Sequence, residues 1–411
     1  MNDPPPPRPL RLYLIAAEES GDALGTALAH ALREREGGGL RLSGVGGQGM
    51  AAGGIASPFP IAELSIIGFS AIPRRLPTIL RRIRETADAV VASEPDALVI
   101  IDSPDFTHRV ARRVRRRVPS IPIIDYVSPS VWIWRPGRAR SMRRYVDCVL
   151  AILPFEPAAY LRLGGPPCVY VGHPLIERMA QLRPNAEEQA RRLSDPPTIL
   201  VLPGSRSGEV RRLLAIFGAA VAAVAARHGA LQLVLPTTPH LVAQIRDGVA
   251  GWPQQPRIVV DETEKWTAFR TARAALAASG TVTLELALAG VPMVAAYRVP
   301  LVEELTLRAL LTPKALRPLD SVILANLVLG QKVVPEFLQR DCSPAKLADA
   351  LVTLLSDTPE RRRQVAAFDR LDAIMAIGAA SPSGRAAAIV LDIARRGRRD
   401  MATTDAQASL C

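Results

Sequence analysis

Lysine is scarce in this chain. Of 51 lysine and arginine residues only four are lysine: Lys265, Lys314, Lys332 and Lys346. Such a skew can record codon usage, so the net charge of +12 does not by itself name a polyanionic partner. Aromatic residues make up 4% and do not alternate with the arginine clusters, which argues against a platform for stacking bases. The four cysteines, Cys148, Cys168, Cys342 and Cys411, form no CxxC pair. That excludes the usual zinc frameworks and fits a reducing compartment. No apolar run reaches the roughly 18 residues of a membrane-spanning helix. The longest candidate, residues 274–297, is broken by Ser279, Gly280, Glu285, Gly290 and Pro292. The N-terminus carries Pro4 to Pro7 and no apolar signal-peptide core, so no secretory leader is expected.

What is present is an α/β pattern. A chain of 411 residues predicts about two domains at roughly 100–200 residues each. Hydrophobic residues at 48% and charged residues at 22% give a globular balance. Short apolar runs at 12–16, 97–101, 121–127 and 146–153 read as strands buried on both faces. Helical spacing falls between them, at 76–91 and 110–118. After Gly172-His173-Pro174 the pattern restarts, with strands at 199–202, 231–235, 257–260, 274–278 and 293–296. Helices are expected at 209–227, 283–289, 346–355, 360–374 and 385–396. The fold expected is two Rossmann-like parallel-sheet domains facing across a cleft. The boundaries are a disordered start at 1–9, a first domain at 10–173 and a second at 174–365. Helices at 366–398 pack back on the first domain, and a disordered tail covers 399–411.

The charge is uneven. Residues 74–144 hold sixteen arginines against seven acidic residues. The reading is either a solvated helix face or a contact for anionic groups. With Ile66-Ile67-Gly68-Phe69 nearby, an anionic lipid surface is the expected partner.

Several motifs sit where such sheets bind ligands. Gly44-Val45-Gly46-Gly47-Gln48-Gly49 fits G-x-G-x-x-G but lacks an acidic residue about 20 positions on, so a tight glycine turn is favoured over a dinucleotide site. Glu18-Glu19-Ser20-Gly21-Asp22 follows the first strand. It either lines the cleft or caps a helix through Ser20 or Asp22. Asp102-Ser103-Pro104-Asp105-Phe106 ends another strand, with carboxylates suited to acid or base work or with Asp105 as a cap. In Ser128-Pro129-Ser130-Val131-Trp132-Ile133-Trp134-Arg135, strand alternation would put both tryptophans on one face. That face is either a sugar or acyl surface or a core strand. Pro203-Gly204-Ser205-Arg206-Ser207-Gly208-Glu209 joins a strand to a helix and is either an anion site, without being a P-loop, or a plain glycine-containing βα turn. Ser279-Gly280-Thr281 repeats the design, and Glu285 falls within reach of a ribose diol. Neither loop carries an acidic pair, so no metal is expected.

Taken together these residues resemble the lipid-A-disaccharide synthases, inverting glycosyltransferases of GT-B fold. The likeness covers residues 12–355 and adds Leu153-Pro154-Phe155-Glu156, Gly172-His173-Pro174, Leu284-Glu285-Leu286-Ala287, Pro292-Met293-Val294 and Asn326-Leu327 to the motifs above. The resemblance implies transfer of 2,3-diacylglucosamine from UDP-2,3-diacylglucosamine to 2,3-diacylglucosamine 1-phosphate. The products are a β-1,6 disaccharide 1-phosphate and UDP, made without metal or cofactor. It implies Asp102 as base, and Gly204, Ser205, Arg206, Ser279, Gly280, Thr281, Glu285 and Asn326 around the nucleotide. Glu18, Ser20, Gly21, Asp22, Ser128, Ser130, Trp132 and His173 would line the substrate cleft. It further implies a peripheral place on the cytoplasmic face of the inner membrane, no nucleic-acid partner, and leaves a homodimer open. Ala17, Glu19, Thr107 and Ala325 depart from the usual family pattern. The alternatives are another UDP-sugar GT-B enzyme, such as a UDP-N-acetylglucosamine epimerase, or a basic protein binding nucleic acid or membrane.

Overall fold

Short apolar runs form the strands, and their alternation supplies a core on each side. The computed structural model describes residues 8–64, 72–132, 136–299 and 321–400. Residues 66–69, Trp134, Arg135, residues 1–7 and the 401–411 part of the tail lie outside these. Two compact units emerge. The first takes the chain to Pro174 and again from Ile377; the second is Leu175–Ala376.

The first unit holds β1 (Leu10–Ala16), β2 (Leu40–Val45), β3 (Ala97–Ile101), β4 (Ile123–Tyr126), β5 (Cys148–Ala151) and β6 (Cys168–Tyr170). They form one parallel sheet in the order β2-β1-β3-β4-β5-β6. Leu12, Leu14 and Ala16 of β1 enter one apolar cluster, and Tyr13 and Ile15 enter the other. Both faces are therefore covered, as continuous apolar strands require. The C-terminal helix Pro382–Asp400 buries Ala386, Ala387, Val390, Leu391 and Ile393 against the first of these faces. Arg398 ties it to Asp147 at 2.9 Å.

The second unit holds β7 (Thr198–Leu202), β8 (Gln232–Pro236), β9 (Arg257–Val259), β10 (Ala274–Ala278), β11 (Met293–Tyr297) and β12 (Glu336–Leu338). Their order is β12-β11-β10-β7-β8-β9, again parallel. The strand order reverses between β1 and β3 in one sheet and between β7 and β10 in the other. Open parallel sheets take ligands at the carboxyl ends beside such reversals.

Three expectations are corrected. The helix expected over 360–374 is two, Pro359–Phe368 and Leu371–Met375. The chain rejoins the first unit at Ile377 rather than near 366. Buried Leu371 and Met375, with the Arg183–Asp372 ion pair at 2.5 Å, keep the shorter helix in the second unit. The segment after β4 is a tight turn, not an extended strand: Val127 has φ 76°, and Val131 N–H donates to Pro129 O at 2.5 Å.

Candidate functional site

The carboxyl ends of β7 and β10 open onto a cavity of about 360 Å³. Its walls include Gly204, Ser205, Arg206, Ser279, Gly280, Thr281 and Glu285. The helix Ser207–His228 starts immediately after Arg206, and Thr281–Leu288 after Gly280, so both present N-terminal amides at this end of the sheet. Gly204 is required twice over. Its φ is +115°, and a Cβ there would lie 2.5 Å from Glu209 Oε2. Glu209 accepts from Ser205 N–H at 3.2 Å and pairs with Arg206 at 3.5 Å. The Arg206 side chain is 82% exposed, free to swing onto an anion. Glu285 pairs with Lys265 at 3.1 Å through Oε2.

Asn326 is not at the cavity wall. It is 1% exposed, and its amide serves Val333 N (3.0 Å), Val334 N (2.9 Å), Val334 O (2.9 Å) and Glu336 (2.7 Å). Glu336 accepts from Val322 N–H at 3.0 Å, and Val322 O accepts from the Ser279 hydroxyl at 3.3 Å. Asn326 thus connects to the cavity through this chain.

In the first unit Asp102 sits directly after β3. Asp102 and Ser103 both lie in the left-handed region, at φ 52° and 45°. Two such residues in succession cost energy and cluster at functional sites. The Thr107 hydroxyl holds the turn by donating to Asp102 O at 2.7 Å and Ser103 O at 3.1 Å. Ser20 donates to Asp102 Oδ2 at 3.2 Å. Gly21 admits the close approach, because a Cβ there would stand 3.3 Å from Ile101 O. Glu18 and Ser20 are exposed and Asp102 is half-buried.

Asp22 has a different task. It is 8% exposed and accepts from Gly47 N–H (2.7 Å), Gly49 N–H (2.8 Å) and Met50 N–H (3.1 Å). A protein carboxylate therefore occupies the anion position of the G-x-G-x-x-G loop. Ser128 is buried and bonded to the Tyr160 hydroxyl at 3.0 Å, Ser130 is exposed, and Trp132 is half-buried. His173 is 6% exposed, and burial pushes its imidazole down to about 4, so it is neutral near pH 7.

Some site residues escaped the sequence reading. Pro236, Thr237, Thr238 and Lys265 line the second-unit cavity, and the Thr237 and Thr238 hydroxyls are buried without a hydrogen-bond partner among the described residues. The one available signal was Lys265, a rare lysine. Among the described residues no group of three or more His, Cys, Asp or Glu could hold a metal, and no helix is long and apolar enough to cross a membrane.

Solved structures share this architecture. MurG of Acinetobacter baumannii superposes with a TM-score of 0.53 at 16% identity, covering 94% of this chain and 100% of that one. UDP-GlcNAc 2-epimerase of Neisseria meningitidis, solved bound to UDP-GlcNAc, gives 0.58 at 11% identity, covering 94% and 99%. The fold is that of the GT-B glycosyltransferases. Within that class the chain belongs to the lipid-A-disaccharide synthase family, whose model, described as lipid-A-disaccharide synthetase, matches residues 12–390. The lipid-A-disaccharide synthase of Bradyrhizobium diazoefficiens is 61% identical over 389 residues, covering 95% of this chain and 98% of that protein.

Proposed function

We propose that this chain transfers 2,3-diacylglucosamine from UDP-2,3-diacylglucosamine to the 6-hydroxyl of 2,3-diacylglucosamine 1-phosphate. The observation that carries this is the placing of complementary chemistry at the two strand reversals. A half-buried carboxylate stands at one, and an anion-ready cavity at the other. Asp102 accepts the proton of the acceptor hydroxyl as its oxygen attacks the donor's anomeric carbon. The bond to the diphosphate breaks on the opposite face, which inverts the configuration, and UDP leaves. The amides after Arg206 and Gly280, with the Arg206 guanidinium, stabilise the departing diphosphate. Glu285, whose Oε2 accepts from Lys265, suits the ribose diol. Thr237 and Thr238 supply hydroxyls that lack partners among the described residues. We place the reaction at the cytoplasmic face of the inner membrane, on an anionic surface.

UDP release measured with defined acylated donor and acceptor tests the reading. It is expected to need both sugars and to survive EDTA. Turnover on unacylated UDP-N-acetylglucosamine alone would favour an epimerase instead. Asp102→Ala is expected to lose at least about a hundredfold in kcat, the usual worth of a general base; near-wild-type turnover removes Asp102 from that role. Arg206→Ala is expected to weaken UDP binding about tenfold or more, as loss of a charge-assisted contact does. Unchanged affinity by calorimetry would refute the phosphate site.

A further inference from the structure

Two motifs that the sequence keeps apart meet in the first unit. Trp132 Nε1–H donates to Glu156 Oε1 at 3.1 Å, and Leu153 N–H donates to Oε2 at 2.9 Å. The Ser128 side chain beside them bonds Pro129 O and the Tyr160 hydroxyl, each at 3.0 Å. The Trp132 and Phe155 rings meet edge to face with centroids 4.9 Å apart. Glu156 itself is 1% exposed. A carboxylate so buried is costly unless donors converge on it.

What it holds is the turn after β4. That turn begins at Val127, a β-branched residue at φ 76°. Such a conformation persists only where the surroundings over-determine it. The residue before it, Tyr126, accepts the Asp102 N–H through its carbonyl at 3.0 Å. The latched turn and the strained Asp102 turn are thus neighbours on adjacent strands. Ser130 is left exposed while Ser128 and Val131 are buried.

We infer that Glu156 is a positioning residue that fixes the 128–132 turn and, through it, the binding of the acceptor sugar beside Asp102. This rests on the transfer reaction proposed above. Burial pushes the Glu156 carboxyl up to about 7, while the bonds from Leu153 and Trp132 favour its charged form. The titratable groups coupled to it are Tyr160 on its own helix and Tyr170 on β6, both pushed up by burial; Arg385 acts on Tyr170.

Steady-state kinetics of the full chain with both acylated sugars test this in Glu156→Gln and Trp132→Phe. Glutamine keeps the size but turns an N–H toward one of the two donors. Phenylalanine keeps the ring against Phe155 and removes the N–H. Each is expected to raise the acceptor KM about tenfold, with donor KM unchanged and kcat within about threefold. An unchanged acceptor KM in both variants, beside an active wild type, overturns the latch alone. So does a loss spread equally over donor and acceptor KM. If Glu156→Gln fails to fold, the acceptor KM of Trp132→Phe decides. No UDP release by the wild type with the acylated pair overturns the transfer reading, and the latch falls with it.

Discussion

Gly204 and Asp22 show how single residues here serve the backbone before they serve chemistry. At Gly204 a positive φ and the crowding by Glu209 coincide. Gly204→Ala is expected to cost about 1–3 kcal/mol from the strained backbone, and to weaken UDP binding because the loop must shift. Chemical denaturation and calorimetry on the same variant measure both. Asp22→Asn leaves one of three backbone donors without a good acceptor and is expected to cost about 2 kcal/mol, with UDP affinity unchanged. The residue types at these places could be read from the sequence, but their partners could not. Glycine, serine and arginine between a strand and a helix announce an anion loop. Nothing in the order of residues says that Asp22 closes the glycine loop 25 positions away, or that Glu156 reaches back 24 to Trp132. Such pairings exist only once the sheet has brought the strand ends together.

At the scale of elements, the scarcity of lysine acquires a structural side. Arg192 is 4% exposed and donates to Phe269 O, Arg270 O, Ala289 O and Gly290 O. These are carbonyls at the C-terminal ends of the helices Glu262–Thr271 and Thr281–Leu288. Helix ends leave such carbonyls unpaired, and a planar guanidinium can serve several at once where an ammonium cannot. Arg273 donates to Leu355 O and Ser194 O, and Arg361 to Leu354 O and Arg273 O. Arg192→Met is expected to destabilise by about 3–5 kcal/mol, as loss of a fully engaged buried charge partner does, and Arg192→Lys to recover only part. The exposed Arg191, paired with Glu187 at 2.5 Å, is the control, with an expected cost below about 1 kcal/mol when changed to alanine. Strands were the most legible elements. β3 and β10 keep the bounds of their apolar runs because both of their faces are buried. The edge strand β12 is half-buried and short, so it carried no apolar run to read. The break at Asp369 and Arg370 was hidden because both short helices share one helical spacing.

At the scale of the whole molecule, part of the excess positive charge is paired within the fold. Arg82 pairs with Glu63 at 2.8 Å and Glu85 at 2.7 Å, Arg138 with Asp105 at 3.2 Å, and Arg115 and Arg117 with Asp147 and Asp88. These pairs engage four of the sixteen arginines at 74–144. Two buried groups of the first unit matter more for stability against pH, and they act in opposite directions. Glu156 titrates near 4.5 when unfolded and about 7 when folded, so the native chain holds an extra proton between these values. Its contribution is full below 4.5 and is lost as pH rises to about 7. His173 goes from 6.5 down to about 4, so its contribution is present above 6.5 and is lost as pH falls toward 4. Across the shared window the two slopes cancel, and each has a magnitude of about 1.4 kcal/mol per pH unit. Removing either group should unmask the other. Glu156→Gln is expected to make stability rise with pH through that window relative to wild type, and His173→Gln to make it fall. Urea unfolding of the full chain at pH 5, 6 and 7, followed as differences from wild type, measures the slopes. Two variants with slopes of the same sign would contradict the opposed burial of these groups.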